Sequence, residues 1–143
     1  MRLFTIGFTK KSAEVFFTKL TENKVRRIID IRLNNKSQLA GFTRSDDLAY
    51  FLKIHKIEYV HKPEFTPAKD LLTNYRKKKI TWEEYEKKYL WILAERDIVK
   101  QIDYSIFEDA CLLCSESTAD QCHRRLLAEY LKKNNPDIEI THL

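Results

Sequence analysis

The chain has 143 residues, 43% of them hydrophobic and 33% charged, which suits one folded domain over residues 1–143 and excludes a disordered chain. A formal charge of +5 is compatible with anionic partners without requiring them, and no run approaches the roughly 20 apolar residues of a membrane span, so a cytoplasmic location with no membrane partner is expected. Only Gly7 and Gly41 are present, too few for a Walker loop or a G-x-G-x-x-G turn, and the three cysteines, behind an N-terminal run too short for a secretory signal, are expected to be thiols.

Residues 2–8 read as a first strand, after which Ser12 caps a helix with Val15, Phe16 and Leu20 on one face. Ile28, Ile29 and Ile31 give residues 26–33 the β-branched character of a strand covered on both faces. Residues 34–43 are polar and predict a loop. Ser45 or Asp46 then caps a helix carrying Leu48, Phe51 and Leu52, and residues 57–61 form a third strand. Past Pro67 two helical patterns follow in succession, residues 69–78 and 81–103. The second opens on the capping box Thr81-Trp82-Glu83-Glu84 and places Tyr85, Tyr89, Ile92 and Leu93 on one face. Residues 109–115 make a fourth strand, 119–133 a helix and 138–142 a closing strand. The order β-α-β-α-β-α-α-β-α-β predicts an α/β domain, with a mostly parallel sheet flanked by helices in a Rossmann-like three-layer sandwich and a helical insertion over one edge.

In such sheets ligands bind beyond the carboxyl ends of the strands, so the residues there form one set of candidates. Cys122, near a helix start and beside His123 and Arg124, is the first candidate nucleophile, because backbone dipoles and positive neighbours favour a thiolate. Cys114 is a second nucleophile, a resolving partner or a buried thiol. Cys111 belongs to the core. Glu116 is a candidate acid/base or ligand acceptor, against a plain pairing with Arg124 or Arg125, and His123 a candidate acid/base. Arg124 suits a carboxylate or phosphate clamp, with Ser115 and Thr9 as further ligand-binding positions. Asp30 and Arg32, two apart in one strand, share a face and form either part of a ligand site or a structural pair. His61 and Glu64 read more readily as satisfied strand-end groups.

Cys111, Cys114, Cys122 and His123 supply soft ligands, yet the spacing argues against a metal. A strand sends Cys111 and Cys114 to opposite faces, and adjacent Cys122 and His123 would have to bite the same ion, so none is expected. A C-x5-R phosphatase-type loop also fails, because Asp120 stands where its arginine is needed.

Four ordered motifs, Thr5-Ile6-Gly7-Phe8-Thr9, Asp30-Ile31-Arg32, Cys114-Ser115-Glu116 and Cys122-His123-Arg124, resemble the family labelled domain of unknown function 488. The stretch Pro63-Glu64-Phe65-Thr66-Pro67 is similar to that family's P-x-L-x-P segment. The resemblance implies an α/β fold with its motifs at one site, and it carries no assigned activity or cofactor. Phe8 stands where many members have histidine, and Leu33-Asn34-Asn35 lacks the proline that often follows the second motif.

Three functions compete. One is an enzyme using a thiolate with Glu116 and His123 on a small anionic or nucleotide-like ligand. Another is a nucleic-acid-binding module in which Lys69, Arg76, Lys77, Lys78, Lys79, Lys87 and Lys88 lie among Tyr75, Trp82, Tyr85 and Trp91. The third is a redox switch joining Cys114 to Cys122, which requires Cα atoms within about 4.4–6.8 Å.

Overall fold

A computed structural model describes residues 1–36, 41–116 and 118–143. Its five strands, β1 (Arg2–Gly7), β2 (Arg27–Asp30), β3 (Glu58–His61), β4 (Ala110–Cys114) and β5 (Glu139–His142), form one all-parallel sheet in the order β3-β2-β4-β1-β5. Among the described residues six α-helices connect them: α1 (Ala13–Glu22), α2 (Ser45–Ile54), α3 (Lys69–Arg76), α4 (Trp82–Glu95), α5 (Ile98–Gln101) and α6 (His123–Asn134). Among the described residues no helix is long and apolar enough to cross a membrane.

Alternation along the strands separates two cores. Phe4, Ile6, Ile28, Cys111 and Leu113 pack with Phe16, Phe17 and Leu20 of α1 and with Leu48 and Leu52 of α2. Leu3, Ile29, Leu112 and Cys114 face the other way, against Leu71, Tyr85, Tyr89 and Leu93 of α3 and α4 and Leu126, Leu127 and Leu131 of α6. The domain is thus the three-layer α/β sandwich the element order predicts, with α3 to α5 inserted on one face.

Several local expectations change. Val15 is exposed and Phe17 is buried in its place, because the stripe facing the sheet runs through Phe16, Phe17 and Leu20. Phe51 and Ile92 are only partly covered, while Tyr85, Tyr89 and Leu93 are buried. Arg44, not Ser45 or Asp46, is the N-cap of α2; its side chain makes no capping bond, and the Ser45 N–H instead donates to the Asn35 carbonyl at 2.8 Å. The expected loop at 34–43 contains residues 37–40, which lie outside the described residues, and ends in a short 3-10 turn, Gly41–Thr43. Thr81 caps α4 as read, accepting from the Glu84 N–H at 3.2 Å. The long helix expected over 81–103 is broken at Asp97, whose left-handed backbone (φ 52°) separates α4 from α5. The last helix starts at His123 rather than 119, because Cys122 is extended (φ −139°, ψ 140°) and serves as its N-cap.

β1 and β4 lie side by side with Gly7 opposite Cys114, and the chain leaves their carboxyl ends toward opposite faces, through α1 and α6. Their two loops meet where Thr9 donates from both its backbone N–H (3.0 Å) and its hydroxyl to the Ser115 carbonyl. A Cβ on Gly7 would overlap the Glu116 carbonyl oxygen and come within 2.7 Å of an Arg124 terminal nitrogen, so only glycine admits this approach.

Candidate functional site

The end of β4 and the start of α6 bring Cys114, Ser115, Glu116, Cys122 and His123 around one recess of about 50 Å³, room for a group of a few water molecules. Its outer wall is Leu72, Tyr75 and Arg76 of α3, Tyr85 of α4, and Gln121. The Tyr75 hydroxyl donates to Gln121 Oε1 at 3.0 Å and ties α3 to the turn before α6. Glu116 is exposed, whereas the two sulfurs sit at the recess floor in residues only 1% and 3% accessible.

Arg124 lies behind that floor and is itself 1% accessible. Its Nη1 donates to Cys114 Sγ at 3.2 Å, to the Glu116 carbonyl at 2.5 Å and, at 3.8 Å, to Cys122 Sγ, while its Nε donates to Thr5 Oγ1 at 3.2 Å. Among the described residues no carboxylate forms an ion pair with it. Burial lowers its pKa, and the charge of Glu116 acts in the opposite sense. The sulfurs of Cys114 and Cys122 are in bonding contact as a disulfide, although their Cα atoms are 7.8 Å apart, beyond the span set for such a bridge. Cys111, the remaining thiol, is buried in the opposite core, and burial pushes its pKa up.

His123 is buried and packs edge-on to Tyr89. Its Nε2 is 2.9 Å from the Ile31 carbonyl, an acceptor only, so the ring proton resides on Nε2 and the lone pair on Nδ1. Desolvation brings its pKa down to about 4, with nearby Arg124 and Arg76 acting in the same direction, so the ring is neutral at pH 7.

Asp30 and Arg32 do not line the recess. Both are buried and satisfy each other: Arg32 Nε and Nη2 donate to the two Asp30 oxygens at 2.9 and 2.8 Å, the Arg32 backbone N–H donates at 3.1 Å, and the Tyr59 hydroxyl adds a fourth bond at 2.6 Å. Arg32 also lies 5.5 Å from the centre of the Phe8 ring. Thr9 acts on the recess through Ser115 without lining it, and His61 is held 3.1 Å from the Arg32 carbonyl. Glu64, partly exposed, faces Lys62 at 3.7 Å.

Several contributors, Gln121 among them, were not singled out for this site by sequence. Thr5 takes the Arg124 bond and lies 2.6 Å from His142 Nδ1, and its place in the Thr5-Ile6-Gly7 motif was the available signal. Tyr75 and Arg76 were read only as part of a basic aromatic surface. In that segment Tyr75, Trp82, Tyr85 and Tyr89 pack on one another with centroids 4.9–6.3 Å apart, and Trp91 stands exposed.

No curated protein and no solved structure matches the chain significantly. The family model for the domain of unknown function DUF488 matches residues 12–131, which takes in the Asp30, Cys114 and Cys122 motifs and leaves the first strand outside the matched span. The chain belongs to the DUF488 family.

Proposed function

We propose that the chain is a thiolate-centred enzyme whose recess takes a small anionic group, either a free anion or the anionic part of a nucleotide-like ligand. The observation that carries this reading is Arg124, a buried guanidinium that donates to two cysteine sulfurs, a carbonyl and a hydroxyl and, among the described residues, to no carboxylate. A guanidinium does not give up its proton at neutral pH, and a buried charge without a counter-ion is costly. Ionisation of Cys114, 3.2 Å away, supplies the missing anion, and the same contact makes its sulfur a nucleophile at neutral pH. Joined as a disulfide the sulfurs carry no charge, so the reduced pair is the electrostatically complete state. On this reading the nucleophile is Cys114, supported by its shorter distance to the guanidinium than that of Cys122.

Arg76 and Gln121 at the recess wall bind the ligand's anionic and polar groups, and exposed Glu116 exchanges protons with it. Neutral His123 orients the start of α6 through Ile31. The recess volume limits the reacting group to one of about phosphate size, while a larger remainder extends over α3.

The test is the ultraviolet absorbance of thiolate in the reduced protein as a function of pH. Cys114 should ionise well below the ~8.5 of a free thiol, and the low-pH step should vanish in Cys114→Ser. A first ionisation at or above that value removes the basis of the reading.

A second reading is a redox switch, which the 7.8 Å Cα separation admits only if the backbone moves to close the bridge. A peroxide would accept two electrons and be reduced at its O–O bond, while the two thiols lose their protons and join. Intact mass after mild peroxide should fall by two hydrogens and recover with a dithiol. Stepwise gain of oxygen on separate cysteines excludes it.

A further inference from the structure

We propose that Cys114, Cys122 and His123 form a three-ligand site for a soft divalent cation of the zinc class, with its fourth position open to the recess. The inference concerns the same recess as the reading above and stands on the positions of three donor atoms, not on how any of them titrates. One ligand atom from each of the three residues lies within 4.8 Å of the other two, and all three residues are buried. Two thiolates and an imidazole are the donor set that zinc-class ions select over hard cations.

The backbone explains how neighbours in sequence reach one ion. Cys122 is extended and His123 begins the helix, so the turn at the N-cap swings the two side chains to the same side. Cys114 arrives independently from the end of β4. Tetrahedral zinc with Zn–S bonds near 2.3 Å holds two sulfurs about 3.8 Å apart. A Cα separation of 7.8 Å, too wide for the usual bridge, accommodates that spacing.

Surrounding groups support the same role. The Ile31 carbonyl fixes the His123 ring through Nε2 and leaves the Nδ1 lone pair for a metal, as carbonyl partners of ligating histidines do. Arg124 donates to both sulfurs and offsets the charge of two thiolates. The recess beside the cluster has room for a water as fourth ligand, and Glu116 stands on its lining. Three protein ligands with one open place is the arrangement of catalytic rather than structural zinc sites.

The full chain, reduced and freed of metal with a chelator, is titrated with Co(II) as a spectroscopic probe. One equivalent should bind, giving sulfur-to-cobalt charge-transfer absorption and the intense visible bands of tetrahedral cobalt, and Zn(II) should bleach both. Cys122→Ser and His123→Gln should each weaken Co(II) binding by at least about tenfold while keeping the wild-type circular dichroism. Cys111→Ala, altered in the opposite core, should bind as wild type. No stoichiometric binding by folded, reduced wild type, or equal loss in Cys111→Ala, overturns the site. Low-pH ionisation of Cys114 without Co(II) binding overturns the metal and leaves the thiolate reading intact; ionisation only near the free-thiol value together with no binding overturns both.

Discussion

Among the described residues two arginines are buried, and they are held in opposite ways. Arg32 meets the carboxylate of Asp30 through two parallel hydrogen bonds, with Tyr59 on the same carboxylate, so its charge is fully answered within one strand end. Arg124 meets a hydroxyl, a carbonyl and two sulfurs, and no carboxylate among the described residues. The first arrangement is a closed ion pair. The second is electrostatically complete only when a sulfur ionises or an anion arrives, which is the basis of the proposed thiolate site. His123 joins the two regions, bonded to Ile31 in the Asp30-Ile31-Arg32 segment and adjacent in sequence to Arg124.

The largest effect should come from opening the closed pair. Asp30→Ala leaves Arg32 buried without its anion and should cost about 3–5 kcal/mol in denaturant unfolding. A loss under about 1 kcal/mol would mean that Arg32 is not held as a buried ion pair.

A pH effect of nearly that size should come from His123. Its pKa is lowered from 6.5 to about 4 on folding, so the unfolded chain binds the proton first. Its stabilising contribution is complete above about pH 6.5, declines as pH falls from there toward 4, and amounts to about 3 kcal/mol once lost. Unfolding free energies across that range should show this slope in wild type and a flatter profile in His123→Gln.

Gly7→Ala attacks the incomplete side through the backbone. The added methyl group overlaps the Glu116 carbonyl and crowds Arg124, at a cost of about 1–3 kcal/mol, and it should raise the ionisation pH of Cys114. Stability lost with the thiolate step unmoved would show that Arg124 does not set that ionisation.

Tyr59→Phe should be mildest, about 1 kcal/mol, because Asp30 keeps its three bonds from Arg32. Its thiolate titration should match wild type; a shift would mean that the two arginine regions are coupled.

Much of this architecture is legible in the residues themselves. The β-branched run at Ile28 and Ile29, the cap at Thr81 and the alternation of Cys111 with Cys114 each follow from local sterics and a period of two or 3.6 residues. The clustering of Cys114, Ser115, Glu116, Cys122 and His123 was also readable, since strand ends in a parallel sheet converge on one edge. Less legible were features set by a single dihedral angle, such as the break at Asp97 and the late start of α6 at His123.

From its sequence alone the chain determines an α/β sandwich and the set of chemically capable residues at one rim, because hydrophobic period and strand-end position are local properties. Only the tertiary structure decides which charges answer each other. It pairs Asp30 with Arg32 and leaves Arg124 to the sulfurs, and it turns Cys122 and His123 toward Cys114. Those outcomes depend on contacts between segments up to 119 positions apart, such as Arg124 on Thr5, where burial rather than sequence spacing sets the energy of a charge.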